Sequence, residues 1–537
     1  MDLTRYPAVT TWRSSRSKTG CTTCRSRRVK CDERRPVCHN CSRLRKKCGY
    51  LEGHEHDSRL TYSSAPVLPT STGINQGLGQ EALSPSMALL NSDFDLGEWG
   101  DILEDSDWLG SSSILPSAED LSSHTTRQDS LERGSNMFPY FTSSVNPPFI
   151  TPFDSANWDL ARQYIAGLAP SNTFIAAAIQ CVQVLYRSLD QGNDISDAMQ
   201  SYFSAKSIYL TMLSSDDQGL EPVLIVTFLL CIFEIVAQQE MIPHTLKQKD
   251  PLISKIDTWA KLQPWPPIAR RITVWLRWLH TKSMHLGGRG ILSPQIFALL
   301  PVDRHPVPPL FFLHEDPPEP GLELLEPTMS ALFHFYDELQ DISVQASALN
   351  RHHRSRGTVA DETGVHWISI NIANHLNSLW QTRPWLLRHP TTGLFSSHLQ
   401  HNQLCDMLVV LCRVCYFAET IYLDRAQSKD RTASPDAQRA RQEIRLSVDE
   451  FSSRATTQKH LDAAFLWPLF LYAVESRTGA DVDWALSKLR LIQDPLWQSE
   501  TVTTFIQDLT SEQLSRGERV DSRLFCLQRY GGPPPYI

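Results

Sequence analysis

The sequence predicts a chain in three parts: a small cysteine-framed module, a disordered acidic linker and a large all-α domain. Three observations carry that prediction. Six cysteines fall within the stretch from Cys21 to Cys48, residues 51 to about 150 are rich in Ser, Pro, Gly and Asn, and from about Asp154 apolar residues recur at helical spacing. At 537 residues the chain is too long for one small domain, and an apolar fraction of 41% with 14 tryptophans can fill a sizeable core.

The cysteines read C-x2-C-x6-C-x6-C-x2-C-x6-C, with Cys21, Cys24 and Cys31 in one half and Cys38, Cys41 and Cys48 in its repeat. A pair two residues apart can chelate one tetrahedral zinc, and a thiolate one short helix further on can supply a third ligand. Each half is then one ligand short. If two zinc ions are both four-coordinate, the six sulfurs satisfy them only when two of the six bridge. The repeat makes equivalent positions the natural bridges, and Cys21 and Cys38, which open the two halves, are the chosen pair. A disulfide framework would suit a small secreted domain, but the chain starts Met1-Asp2 without an apolar signal segment. Two ordinary zinc fingers would need histidines or two more cysteines, and His39 is the only histidine in the stretch. One binuclear cluster fits better.

The residues between the ligands suggest a partner. Residues 1 to 50 hold fourteen Lys and Arg against three acids, a net of +11, whereas the remainder holds 37 bases and 56 acids, a net of −19. Six thiolates and two zinc ions lower the module's charge only to about +9. A basic patch on an otherwise acidic chain is the footprint of phosphate contacts. Residues 1–20 form a basic arm that can follow a nucleic-acid backbone.

The cysteine spacing, the run Cys24-Arg25-Ser26-Arg27-Arg28-Val29-Lys30-Cys31-Asp32, and Pro36 between the halves resemble the fungal binuclear zinc cluster transcription regulators. The resemblance implies a DNA-binding domain over 21–48 whose first short helix enters the major groove and reads a CGG-type triplet. It places Arg28, with Arg27, at base edges, in keeping with paired arginine hydrogen bonds to guanine. Arg25, Lys30, Arg43 and Lys46 are then phosphate contacts, which position without specifying. Members of the family also use the first and fourth cysteines as bridges, which agrees with the ligand count. The expected cofactor is zinc, two ions per chain, and the expected partner is double-stranded DNA. The basic runs Arg25 to Lys30 and Arg43 to Lys47 can also be read by nuclear import machinery, so the expected location is the nucleus.

Residues 49–153 read as a disordered acidic linker, with fifteen acids and three bases over 51–150 and few apolar residues at either regular period. Between Asn91 and Gly110 seven acids interleave with Phe94, Leu96, Trp99, Leu103 and Trp108, and no base interrupts. Acidic repulsion keeps such aromatic side chains exposed, and a groove on a transcription coactivator can bury them on an induced helix. The segment 91–110 is therefore a candidate activation segment; folding back onto the protein itself is the competing reading. No sustained heptads follow the cluster, which leaves monomer and homodimer both open.

From 154 to 530 the sequence predicts an all-α domain. Met199, Tyr202, Phe203 and Leu210 make one expected core stripe, Met329 to Ile342 a second, and Leu404 to Ala418 a third. The span Pro222 to Ala237 is apolar but too short to cross a membrane, and Glu234 interrupts it, so it reads as a buried helix. Cys412 and Cys415 lie on a helical stripe and read as buried thiols. Expected breaks are the proline-rich Leu300 to Pro327, the polar Arg351 to Thr363 and the charged Asp424 to Gln442. Trp467-Pro468-Leu469-Phe470-Leu471, Val223 to Val236, and Trp275 to Gly288 look like the helical regulatory domain of a large subgroup of the same family. That resemblance implies restraint or support of activation, in some members in response to small molecules.

No catalytic residues are expected. His352-His353 and His398 with His401 have no carboxylate or cysteine at ligand spacing, and the chain has no glycine-rich phosphate loop or nucleophile elbow. The reading is thus a sequence-specific transcription factor, an activator rather than an enzyme, in a class that often serves biosynthetic gene clusters. A repressor and an RNA-binding zinc protein are the alternatives that the residues leave open.

Overall fold

The computed structural model describes Cys21, Thr23, Cys38, Cys41 and Cys48 and most of residues 137 to 531. The linker reading of 49–136, the segment 91–110 with Phe94, Leu96, Trp99, Leu103 and Trp108, and the basic residues Arg25, Arg27, Arg28, Lys30, Arg43 and Lys46 lie outside the described residues. The chain falls into two units, Met1–Pro116 and Ser117–Ile537.

In the second unit the described residues are helices joined by short turns, with one isolated bridge between Leu461 and Ile492. The first seven helices are α1 (Pro139–Ser144), α2 (Thr151–Leu168), α3 (Thr173–Asp190), α4 (Ser196–Ser214), α5 (Leu220–Val236), α6 (Pro251–Ala260) and α7 (Pro267–Met284). After α8 (Pro294–Leu299) come α9 (Pro320–Ser355), α10 (Val359–Gln381), α11 (Trp385–Arg388) and α12 (Leu399–Gln427). The chain closes with α13 (Pro435–Arg454), α14 (Leu466–Val474), α15 (Gly479–Leu489), α16 (Ser499–Arg516) and α17 (Ser522–Tyr530). Packing into the core starts at Phe138 and Phe141, so the helical unit takes in residues upstream of Asp154.

Helix α5 is buried from Val223 to Val236, as a helix apolar on every side must be. Its buried acid, Glu234, accepts a hydrogen bond from the Tyr202 hydroxyl. Around α5 the core is aromatic and its polar ends are satisfied. Trp158 and Trp275 meet edge to face at 5.8 Å; Trp158 Nε1 donates to the Val145 carbonyl at 2.8 Å and Trp275 Nε1 to Asp154 Oδ2 at 2.9 Å. Asp154 itself is buried, takes Asn157 Nδ2 at 2.9 Å, and lies 3.5 Å from Arg271 Nη1. Burial still dominates and pushes its carboxyl above the ordinary range.

The second and third stripes are core faces: Leu332, Phe333, Tyr336, Leu339 and Ile342 on α9, and Leu408, Leu411, Cys415 and Ala418 on α12, are buried. Cys412 and Cys415 are buried thiols, and burial pushes the Cys415 thiol up to about 12. The first stripe departs from expectation. Tyr202 is buried and Met199 packs against the core as expected, but Phe203 and Leu210 are 55% and 49% exposed, and α4 buries Ala198, Ala205, Tyr209 and Met212 beside Tyr202. The tyrosines can enter the core because their hydroxyls find partners there, Tyr202 on Glu234 and Tyr209 on Thr227 at 2.8 Å.

The expected breaks are also shorter than the composition suggests. Helix α9 begins at Pro320 and runs through Pro327, since a proline in the first turn has no intrahelical donor to lose and the helix carries the second one inside it. Helix α12 continues past Asp424 to Gln427, and α13 already starts at Pro435.

The charges at that point turn inward. Arg425 and Arg519 are both buried and share the carboxylate of Glu475. Arg425 Nη2 also donates to the Val520 carbonyl at 2.8 Å and to Gln513 Oε1 at 3.0 Å, while Arg519 Nη2 reaches Asp424 at 2.6 Å. Two guanidinium groups thus face two carboxylates, and the cluster ties α12 and the end of α14 to α16 and α17. Burial alone would raise the Glu475 carboxyl, but the charges of Arg425 and Arg519 outweigh it and hold the group below its usual 4.5. A carboxyl with a lowered folded pKa contributes stability that is present above that usual value and fades as pH falls through the folded one. Glu475→Gln should therefore destabilise the helical unit by about 3 kcal/mol at neutral pH. Urea denaturation checks this, and the gap from the unsubstituted chain should shrink when the measurement is repeated at about pH 3.

Candidate metal centre and nucleic-acid interface

The described part of the first unit is a set of cysteines. The Sγ atoms of Cys21, Cys38, Cys41 and Cys48 all lie within 4.8 Å of one another. Cys21 Sγ is 3.7 Å from both Cys38 Sγ and Cys41 Sγ. A tetrahedral zinc with Zn–S bonds of about 2.3 Å requires sulfur pairs about 3.8 Å apart, and both Cys21 pairs stand close to that separation. Cys21, Cys38 and Cys41 are buried, which keeps competing water away from the donors.

Backbone amides support the sulfurs. The N–H of Cys41 donates to Cys38 Sγ at 3.4 Å, and the N–H of Cys38 donates to Cys48 Sγ at 3.4 Å. Such donors favour the thiolate that a metal needs. The Cys38–Cys41 contact is the local consequence of the two-residue spacing: it folds the amide of the second cysteine back onto the first sulfur.

The composition of the set is informative. Three of its members belong to the second half of the repeat, and Cys21 comes from the first, seventeen positions before Cys38. The second half, one ligand short by itself, is completed from the other half. Cys24 and Cys31 lie outside the described residues. An ion held by them would have to share sulfurs with the first, and Cys21, standing at the second half while belonging to the first, occupies the place a bridge must take. The donor set fits zinc.

Residues 19–55 match the fungal Zn(2)-Cys(6) binuclear cluster domain. These residues are a fungal binuclear zinc cluster. The zinc cluster domain binds two zinc ions, with the four gathered cysteines as a sufficient tetrahedral donor set for one. The curated relatives match short stretches of this chain. The chain is 43% identical over 63 residues to an uncharacterized transcriptional regulatory protein of Schizosaccharomyces pombe, covering 11% of each chain. It is 64% identical over 36 residues to sterol uptake control protein 2 of Candida albicans, covering 7% of this chain and 5% of that one. It is 36% identical over 74 residues to the lysine biosynthesis regulatory protein LYS14 of Saccharomyces cerevisiae, covering 12% and 9%. The chain therefore spans about a tenth or less of the length of these relatives, and the likeness to transcriptional regulators rests on the zinc cluster. No solved structure matches the chain.

Sequence reasoning missed one constellation in the helical unit. Arg441 and Arg445 on α13 and Arg477 after α14 line a common cavity. The four-residue spacing of the first two was the available signal, but Arg441 fell in the expected charged break Asp424 to Gln442 and Arg445 just beyond it.

A Cys21 sulfur shared between two ions would make the two metal sites interdependent. Cys21→Ala should lower the zinc content of the purified chain from two atoms to below one, while Cys412→Ala in the helical core should leave it at two. Metal analysis by plasma mass spectrometry checks both.

Proposed function

We propose that this chain is a sequence-specific DNA-binding transcription regulator that activates promoters carrying CGG-type triplets. The observation that carries the reading is the set of sulfurs gathered from the two halves of the repeat, because in the sequence the arginine-rich segment between Cys24 and Cys31 falls between members of that set. About thirty residues with few apolar side chains cannot bury enough surface to fold unaided, so metal ligation supplies the fold. When bound, zinc acts as a structural cross-link and does no chemistry on a substrate.

In this reading Cys21, Cys24, Cys31, Cys38, Cys41 and Cys48 hold the metal. Arg28, with Arg27, donates paired hydrogen bonds to guanine O6 and N7 in the major groove. Arg25, Lys30, Arg43 and Lys46 contact phosphates and set the register. The net +11 of residues 1–50 draws the module onto duplex DNA, and the net −19 of the remainder keeps the rest of the chain off it. The protein acts in the nucleus and is a regulator rather than an enzyme. Its targets include biosynthetic genes, in keeping with the lysine biosynthesis regulatory protein among its relatives. Activation comes from residues 91–110, where Phe94, Leu96, Trp99, Leu103 and Trp108 supply apolar anchors to a coactivator groove and seven acids keep them soluble. The helical unit is the regulatory domain.

Binding measurements on matched and scrambled triplets test the DNA reading. Arg28→Ala should weaken the matched site by about 1 to 3 kcal/mol and flatten triplet preference, whereas Lys46→Ala should weaken all sequences alike and reduce the salt dependence. Equal loss on both sequences with Arg28→Ala would count against base contact. For the activation reading, removal of 91–110 should leave promoter occupancy intact and abolish reporter output; unchanged output would refute it.

A further inference from the structure

The helical unit carries a cavity of about 460 Å³ that the reading above does not use. Gln438, Arg441 and Arg445 of α13 form one wall, and Tyr472 near the end of α14, Arg477 in the following turn and Asp481 of α15 form the other. Three guanidinium groups meet one carboxylate, so the lining holds a surplus of positive charge.

That carboxylate is already engaged. Asp481 Oδ1 accepts from Arg445 Nη1 at 2.8 Å and from the Tyr472 hydroxyl at 3.1 Å, and Oδ2 accepts from Thr478 Oγ1 at 2.7 Å. The Thr478 bond above all holds its carboxyl below the usual carboxylate range, so it stays ionised and orients the arginines. Arg441 lies 3.6 Å from Asp481 Oδ2, donates to Ser476 Oγ at 3.1 Å, and spreads its guanidinium 5.0 Å from the centre of the Tyr472 ring. Stacking and hydrogen bonds thus fix the plane of this fork. Its Nε is buried and has no hydrogen-bond acceptor.

We propose that this cavity binds a small dianion, a phosphate group or a paired carboxylate, held by Arg441, Arg445 and Arg477. Planar guanidinium forks match both oxygen geometries, and Gln438 adds an amide for a hydroxyl or carbonyl on the same ligand. The volume suits a small molecule rather than a peptide. This binding goes beyond DNA recognition and does not depend on it.

Isothermal titration calorimetry on the full zinc-loaded chain tests the proposal, with inorganic phosphate and succinate as titrants at constant ionic strength and chloride as the blank. The expected result is saturable binding at one site per chain, weakened about tenfold by Arg441→Gln and by Arg477→Gln. A response to phosphate alone assigns a phosphate ligand, and a response to succinate alone assigns a dicarboxylate. Arg477 is exposed, so Arg477→Gln carries the test if Arg441→Gln does not fold. Absence of saturable binding by either titrant, binding indifferent to Arg477→Gln, or binding of a polyglutamate peptide without either small anion overturns the proposal.

Discussion

The zinc cluster domain depends on one constraint: a tetrahedron of sulfur that neither half of the repeat can complete alone. Cys38, Cys41 and Cys48 are three donors, and the fourth is Cys21 from the other half. Ligand geometry therefore does here what a hydrophobic core does elsewhere, because it fixes where two short segments sit relative to each other.

In the helical unit the corresponding constraint is the satisfaction of buried polar groups. Aromatic side chains fill the core, and their N–H and O–H ends recur at carboxylates: Trp275 at Asp154, Trp278 at Asp337, Trp467 at Glu419. Each pairing joins helices distant in sequence. Burial pushes the Glu419 carboxyl up to about 7, although Trp467 and Ser343 both donate to it and Lys282 lies nearby. Glu475 goes the other way because two arginines flank it. The same residue type thus sits at opposite ends of its range according to the charges the fold brings to it.

The zinc centre was legible in the sequence because its chemistry is local and discrete. Six cysteines at repeated spacing allow few arrangements, and counting ligands for two four-coordinate ions leads to a shared sulfur. The helical class was legible for a related reason, since apolar periodicity marks α9 and α12 clearly. The face of α4 was not. Phe203 and Leu210 look more apolar than Tyr202 and Tyr209, yet the tyrosines are inside, because Glu234 and Thr227 on α5 receive their hydroxyls. Hydrophobicity along one helix cannot report a partner on another.

The arginine-lined cavity shows the same limit from the other side. Arg441 falls in the expected charged break and Arg445 just past it, and only the approach of Tyr472, Arg477 and Asp481 makes them walls of a common space. Sequence alone determined the ligand set, the charge asymmetry between the first fifty residues and the rest, and the helical character of residues beyond 154. Tertiary structure alone decided which polar groups are buried, which carboxylates stay ionised and where arginines converge. The physical reason is range: metal chelation and helical periodicity act over a few residues, whereas desolvation and charge pairing depend on segments that meet only after the chain has folded.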